Sequence, residues 1–388
     1  MKPSATLAMT AKANERRRAG FPVIGLSAGE PDFDTPREIS EAAVEAIREG
    51  FTHYTNNAGI PELREAICHK LSRDNDIQYS SNEILCSNGA KQSIAQAVSV
   101  LCGAGDEVLI PAPYWVSYPE MVRFAGAEPV SMPTGASTNY RITPQQLKEA
   151  ITTKTRVLIL CSPSNPTGAV YSPDEIRALG DVLDSHPNIY VISDEIYEYI
   201  TYDQTVLSIA SLPHMRNRTV TVNGFSKAYA MTGWRLGYMA AELSIVKACS
   251  KLQSQLTSAP SSISQKAGLK ALEMSPEPIV KMVSAFRSRR DFVIEKIGEI
   301  DGINCPVPDG AFYIFPDISE YLGRKTPGGT VIDSSSALCF YILESVNVAL
   351  VPGEAFGGPG GIRISYAASM SDLEEAMKRL KKAFATLS

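Results

Sequence analysis

Short apolar runs, each bounded by turn residues or a helix-spaced segment, recur through the first three quarters of the chain. Residues 83–86, 107–110, 156–161, 189–193, 219–222 and 236–240 are short, mostly apolar runs, too short for helices. Between them, residues 63–71, 92–101 and 173–183 carry apolar side chains at helical spacing. Alternation of this kind predicts an α/β fold, in which a mostly parallel sheet is covered on both faces. The 388 residues are 44% hydrophobic, enough for such a core and for two or three domains.

After about residue 280 the texture changes. Residues 279–300 form a long charged helical stretch suited to joining two domains. Strand-like runs follow at 311–315, 348–351 and 362–366, and an amphipathic helix over 372–384 closes the chain. The expected division is a large domain over 31–280 and a smaller α+β domain built from 1–30 together with 281–388. The glycine-rich stretch 357–361 lacks any nucleotide-binding context and reads as a loop.

A net charge of −5 offers no basic field for nucleic acid or an anionic membrane surface. No apolar run is long enough to span a bilayer. The seven cysteines are scattered without a Cys-x-x-Cys pair, as expected of reduced thiols. The four histidines show no metal-ligand spacing, so no metal is expected. The opening Met1-Lys2-Pro3-Ser4 shows no signal or transit peptide. The expectation is a cytosolic protein, or one whose targeting segment lies outside this sequence.

Residues 223–238 are the most informative segment. Lys227 follows a small, hydroxyl-bearing turn at the end of an apolar strand, and Arg235 stands between Gly233 and Gly237. A lysine that bonds a carbonyl needs surroundings that favour its neutral amine, since a free one titrates near about 10.4. A nearby arginine suits a phosphate, which its planar fork grips bidentately. Pyridoxal 5'-phosphate (PLP) is the cofactor that needs both groups.

Other strand ends carry compatible groups. Ser87-Asn88-Gly89-Ala90-Lys91 opens a helix whose free N–H groups form an anion site. Asp194, at the carboxyl end of a buried strand, either caps a helix or pairs with a protonated pyridine nitrogen, with Tyr197 three residues on. Asn165, between Pro163 and Pro166, is either a plain turn residue or a rigidly presented amide. Trp115 either stacks on an aromatic cofactor or packs as core. Gly29 precedes a bend that permits close backbone approach to a ligand. Arg363 lies inside an apolar strand, where it meets either a structural carboxylate or a substrate's.

Taken in order, these segments resemble the class I aminotransferases of PLP fold type I over essentially the whole chain. They are most similar to the subgroup of bacterial-type aspartate aminotransferases and plant plastid enzymes that transaminate oxaloacetate and prephenate. Lys2-Pro3-Ser4-Ala5-Thr6 and residues 28–36, 88–92, 113–118 and 223–238 carry the closer likeness. The resemblance implies that Lys227 bonds PLP covalently and Asp194 binds its ring nitrogen. Asn165 and Tyr197 hold the ring oxygen, and Trp115 stacks on the ring. Arg235, with the backbone at Gly89, Ala90 and Lys91, holds the phosphate. Arg363 and the Gly29 backbone bind the substrate α-carboxylate, beside Trp115 and Asn165. Tyr54 resembles a tyrosine that reaches the neighbouring subunit's phosphate, which implies a homodimer with shared active sites. Ser226 adjoins Lys227, but Gly224 stands where many members have serine.

The same resemblance implies amino acids and 2-oxo acids as substrates. Lys91 and Thr6 occupy the positions that accompany prephenate use, although an exposed Lys91 acting only through its backbone also fits. The plastid stroma is the implied compartment, with the cytoplasm as the alternative. Competing readings are an aspartate aminotransferase inactive on prephenate, another PLP reaction such as β-elimination on the same fold, and a silent binding protein. A dehydrogenase is disfavoured by the missing glycine fingerprint.

Overall fold

The computed structural model describes residues 5–388, with side chains from Ala8 onward. Its strands are β1 (Ile24–Gly25), β2 (Ile84–Ser87), β3 (Glu107–Ala112), β4 (Glu128–Pro133), β5 (Thr155–Cys161), β6 (Tyr190–Asp194), β7 (Thr219–Gly224), β8 (Gly237–Ala240), β9 (Tyr313–Ile314), β10 (Val348–Ala349), β11 (Val351–Pro352) and β12 (Ile362–Ser365). Seven form one sheet in the order β2-β8-β7-β6-β5-β3-β4. All its neighbours run parallel except around β8, which is antiparallel to both β2 and β7. β6 and β7 are buried almost throughout because helices cover both faces, so they read as continuous apolar runs.

β4 was not legible as a strand for the opposite reason. It is the edge of the sheet, half exposed, and holds Pro129 and Pro133, which an edge tolerates because no ladder N–H is needed there. The expected strand over 311–315 shrinks to β9, because Ala311 takes a left-handed φ of 55° that interrupts the extended backbone. The expected run 348–351 divides into β10 and β11, which pair with different partners, β1 and β12. The long helix spans Glu277–Ile297 and stops at Gly298.

The N-terminal segment joins the C-terminal part of the chain. β1 lies parallel to β10, and the Ser365 N–H donates to the Leu26 carbonyl at 2.9 Å. Met9, Val23 and Leu26 share a buried cluster with Phe286, Phe312, Ile342 and Leu380. The sheet and its helices enclose separate clusters around Ile67 and Tyr238, Val108 and Val220, and Leu158 and Leu179.

The register Cys161↔Asp194↔Val222 levels the carboxyl ends of β5, β6 and β7. The loops leaving these three ends therefore emerge along one edge. β8 returns beside β7, with Gly224 opposite Gly237, and so pins both ends of the segment that carries Lys227 and Arg235.

A polar layer is buried behind these strands. Lys70 and Glu198, 2% and 7% exposed at the side chain, form an ion pair. Asn223 Nδ2 donates to Glu198 Oε1 at 2.7 Å, and Asn75 Nδ2 donates to its Oε2 at 2.9 Å. Glu195 accepts from Ser193 Oγ and Ser208 Oγ at 2.8 and 2.6 Å, while its Oε2 has no partner among the described residues. Burial, reinforced by the Glu198 charge, pushes the Glu195 carboxyl up to about 7. The folded protein thus keeps a proton that the unfolded chain releases near pH 4.5. Stability should fall as pH rises from about 4.5 to 7, by about 3 kcal/mol in all. Glu195→Gln should therefore raise Tm at pH 8 and leave it unchanged at pH 4.5, as thermal unfolding at the two pH values will show.

Candidate active site

A cavity of about 330 Å³ opens where the levelled strand ends meet the start of the helix Ala90–Leu101. That helix begins directly after Gly89, whose φ is 87°. A Cβ at Gly89 would stand 2.4 Å from Arg235 Nη2, and one at Gly237 would stand 2.3 Å from the Ala90 nitrogen. Only glycines allow strand β8 and the guanidinium to approach the helix start this closely. The result is an arginine beside unpaired helix N–H groups, a donor set that matches a phosphate.

Asp194 is 4% exposed on the cavity wall. Tyr118 Oη donates to its Oδ2 at 2.6 Å, and the Ile196 N–H donates to its Oδ1 at 3.3 Å. Burial raises the carboxyl to about 6, and the Tyr118 hydrogen bond works against that rise. A carboxylate this secluded calls for a cationic partner, such as a protonated ring nitrogen would supply.

Lys227 Nζ donates to the Gly29 carbonyl at 2.5 Å. Desolvation first, then the Arg363 charge, lowers its ammonium to about 8. The amine is therefore partly neutral at physiological pH, as covalent bonding to a carbonyl requires. Tyr197 lies below it, 5.9 Å from Nζ to ring centre, with its hydroxyl 2.9 Å from that of Tyr313.

Arg363 is 2% exposed and, among the described residues, meets no carboxylate. Its Nη1 donates to Asn165 Oδ1 at 2.9 Å and its Nη2 to the Ser27 carbonyl at 2.6 Å, while Nε has no partner. The rings of Tyr313 and Phe356 flank it at 4.6 and 5.0 Å. Neutral acceptors and aromatic faces hold the guanidinium in place without neutralising it. Among the described residues the structural salt bridge left open by the sequence does not form, and the guanidinium could bind an anion from solution.

Gly29, Ala90, Lys91 and Trp115 line this cavity, as do Asn165, Asp194 and Tyr197, and so do Ser226, Lys227, Arg235 and Arg363. Gly89 lies beneath it at the helix start. Lys91 Nζ sits 4.8 Å from the Trp115 ring centre, and its ammonium is lowered by burial and by Arg235. Tyr54 stands apart, 98% exposed. The side chain of Thr6 lies outside the described residues. Tyr118, Tyr313, Cys161 and Thr232 were not singled out from the sequence. Tyr118 is the one with a discernible signal, three residues beyond Trp115 at a helix start. Among the described residues no three His, Cys, Asp or Glu side chains gather as a metal site requires.

The sequence profile described as aminotransferase class I and II matches residues 22–380. The chain is 54% identical to a bifunctional aspartate aminotransferase and glutamate/aspartate-prephenate aminotransferase of Petunia hybrida, over 100% of this chain and 82% of that protein. It is 46% identical to an aspartate/prephenate aminotransferase of Cereibacter sphaeroides, over 100% of this chain and 98% of that protein. The crystal structure of an aspartate aminotransferase from Rhizobium meliloti superposes with a TM-score of 0.97 at 45% identity, covering 100% of this chain and 98% of that one.

The unpaired charge at position 363 yields a test that needs no assay of turnover. Arg363→Met should stabilise the ligand-free protein by about 1–3 kcal/mol, because it removes a buried cation that lacks a counter-ion. If the guanidinium binds a dicarboxylate, succinate should raise the Tm of the parent protein and leave that of the variant unchanged. Thermal unfolding with and without succinate checks both.

Proposed function

The chain belongs to the aminotransferase class I and II family, and from that premise we propose that it exchanges amino groups between aspartate or glutamate and 2-oxo acids, prephenate among them, using PLP held at Lys227. The observation that carries this reading is the charge balance of the cavity. Among the described residues Lys91, Lys227, Arg235 and Arg363 line it with one carboxylate, Asp194, and Glu30 adds a second near Lys227. Such an excess suits a phosphorylated cofactor and a substrate with two carboxylates.

Bound there, PLP would supply a carbonyl that exchanges with amines and a ring that takes up electron density. Asp194 would hold the proton on the ring nitrogen. Asn165 Oδ1 already accepts from Arg363, so its NH₂ remains to donate to the ring oxygen, beside the Tyr197 hydroxyl. Trp115 would cover one ring face. Arg235, the N–H groups of Ala90 and Lys91, and the Ser226 hydroxyl would bind the phosphate above Gly89. Arg363 and the Gly29 backbone would fix the α-carboxylate. Lys227 Nζ, close to Gly29, is then the base nearest a substrate α-carbon held by that clamp, and its lowered pKa suits the task. Lys91 and Thr6 would meet the distal carboxylate.

In this reading Tyr54 belongs to the active site of a second copy, and its full exposure in the single chain supports a homodimer with shared sites. The large domain is residues 31–280. The small one joins 1–30 to 281–388, a division supported by the β1–β10 pairing. Among the described residues no helix is long and apolar enough to cross a membrane. The proposed compartment is the plastid stroma, on the likeness to the plant relative, with the cytoplasm as the alternative that the bacterial relative favours.

The test is an acceptor panel of oxaloacetate, 2-oxoglutarate, prephenate and phenylpyruvate, with aspartate and glutamate as donors. Turnover with the first three is expected, and Lys227→Ala should lose about 10²–10⁴-fold or more. Failure with prephenate alone leaves an aspartate aminotransferase. Protein that stays colourless after PLP addition refutes the reading. Lys91→Met should lower kcat/KM for dicarboxylates by about 10–100-fold and leave aromatic substrates nearly unchanged. An unchanged preference between the two classes would assign Lys91 a backbone role only.

A further inference from the structure

The loop that carries Trp115 ends in a second aromatic residue with an unusual neighbour. Tyr118 opens the helix Tyr118–Phe124 and is 1% exposed. Its N–H donates to the Trp115 carbonyl at 3.0 Å, and its ring meets the Trp115 ring edge-on at 5.3 Å and 84°. Its hydroxyl donates to Asp194 Oδ2 at 2.6 Å. The other polar side chain at that hydroxyl is the Cys161 thiol, from the last residue of β5. One rigid phenol thus touches both the residue placed over the cofactor ring and the carboxylate placed at its nitrogen.

We infer that Tyr118 is a positioning residue that keeps the Asp194 carboxylate anionic and correctly turned, so that the proton it shares with a bound pyridine stays on the ring. The inference rests on the PLP reading above. The geometry favours it over a packing role. A phenol that merely filled space would not need a buried charged acceptor, and phenylalanine would serve equally well beside Trp115. Among the described residues Asp194 has two donors, Tyr118 and the Ile196 N–H, and the latter is the longer at 3.3 Å. Losing the phenol leaves a secluded carboxylate with one long hydrogen bond, and its affinity for the shared proton rises. Tyr118 itself stays protonated, because burial and the adjacent carboxylate push its own ionisation well above the ordinary phenol value. It acts as a fixed donor and never as an acid.

Tyr118→Phe holoenzyme is the test, read in three ways. The pH at which the Lys227-bound chromophore changes absorbance should rise by about one unit, since a ring that cedes its proton to Asp194 withdraws less charge from the lysine nitrogen. The Kd for PLP, from fluorescence titration of the cofactor-free protein, should weaken about tenfold. The kcat for aspartate should fall about tenfold or more, with KM changed by less than about twofold, because Arg363 and Gly29 are untouched. A lower Tm combined with parental titration, Kd and kcat would reduce Tyr118 to packing and overturn the inference. If Tyr118→Phe does not yield folded protein, Cys161→Ala carries the test. The thiol proton goes to the Pro163 carbonyl at 3.4 Å, so the sulfur is a competing acceptor for the phenol proton. Removing it should strengthen the Tyr118–Asp194 bond and move the chromophore titration down by a few tenths of a unit, and no movement overturns the inference. Parent protein that takes up no PLP defeats the underlying reading instead, so the two failures are distinguishable.

Discussion

The lateral register of β5, β6 and β7 is the constraint on which the site depends. Cys161, Asp194 and Val222 lie side by side across the sheet, so the chain leaves all three strands at one level. Asn165 follows β5 by a short turn, Asp194 ends β6, and Lys227 follows β7. A slip of one residue in β6 would turn Asp194 away from the cavity and present Ser193 in its place. The register is held because the strands are buried on both faces, where a slip would misplace every apolar side chain of Val191, Ile192, Val220 and Val222. Core packing therefore fixes chemistry that lies outside the core.

Alternation along the same strands sorts two polar systems to opposite sides. Asp194 and Val222 share one face, and Ser193 and Thr221 share the other. In front, among the described residues, the four cations Lys91, Lys227, Arg235 and Arg363 outnumber the carboxylates of Asp194 and, near Lys227, Glu30. Behind, Glu195 and Glu198 face one lysine, Lys70. Each side is unbalanced in the opposite sense, and the consequences differ. The rear layer is closed to solvent, so it answers its surplus by retaining a proton on Glu195. The front opens to a cavity, so its surplus can be met by a ligand. Neutral acceptors around Arg363, and a carbonyl before Lys227, keep those cations in place without satisfying their charge.

Much of this was legible in the sequence, and the reasons are local. Asp194 ends an apolar run, Asn165 and Lys227 each follow one within a few residues, and Arg363 interrupts one. A polar group at a strand end can be placed without knowing what lies across the sheet. Two-residue strands such as β9 and β10 are too short for any periodicity to register. Helices such as Leu243–Leu256 and Ser262–Glu273 mix serine and glutamine into their buried faces, which blurs the apolar stripe. Gln253 and Gln265 are wholly buried because they bond to the backbone of Asn57, Cys86 and Ile60. Those partners lie far off in sequence, so the residues read as surface until the fold brings them together.

Tyr118 shows the same limit at the site itself. Its partner Asp194 is 76 positions away and reached across the sheet, so no spacing rule connects a phenol after Trp115 with a carboxylate ending β6. Sequence reasoning finds groups that would touch a ligand, because a ligand's chemistry dictates their types. It passes over groups that touch only those groups, because any donor of the right reach would serve. The aromatic ring at 118 is nevertheless tightly specified by its surroundings: edge-on contact with Trp115 on one side, the Asp194 carboxylate at its tip, and near-complete burial. A smaller donor would leave a void and a larger one would displace Trp115. The residues that set the acidity of such a site are thus chosen by packing and by charge together, and only the folded chain brings both conditions to one place.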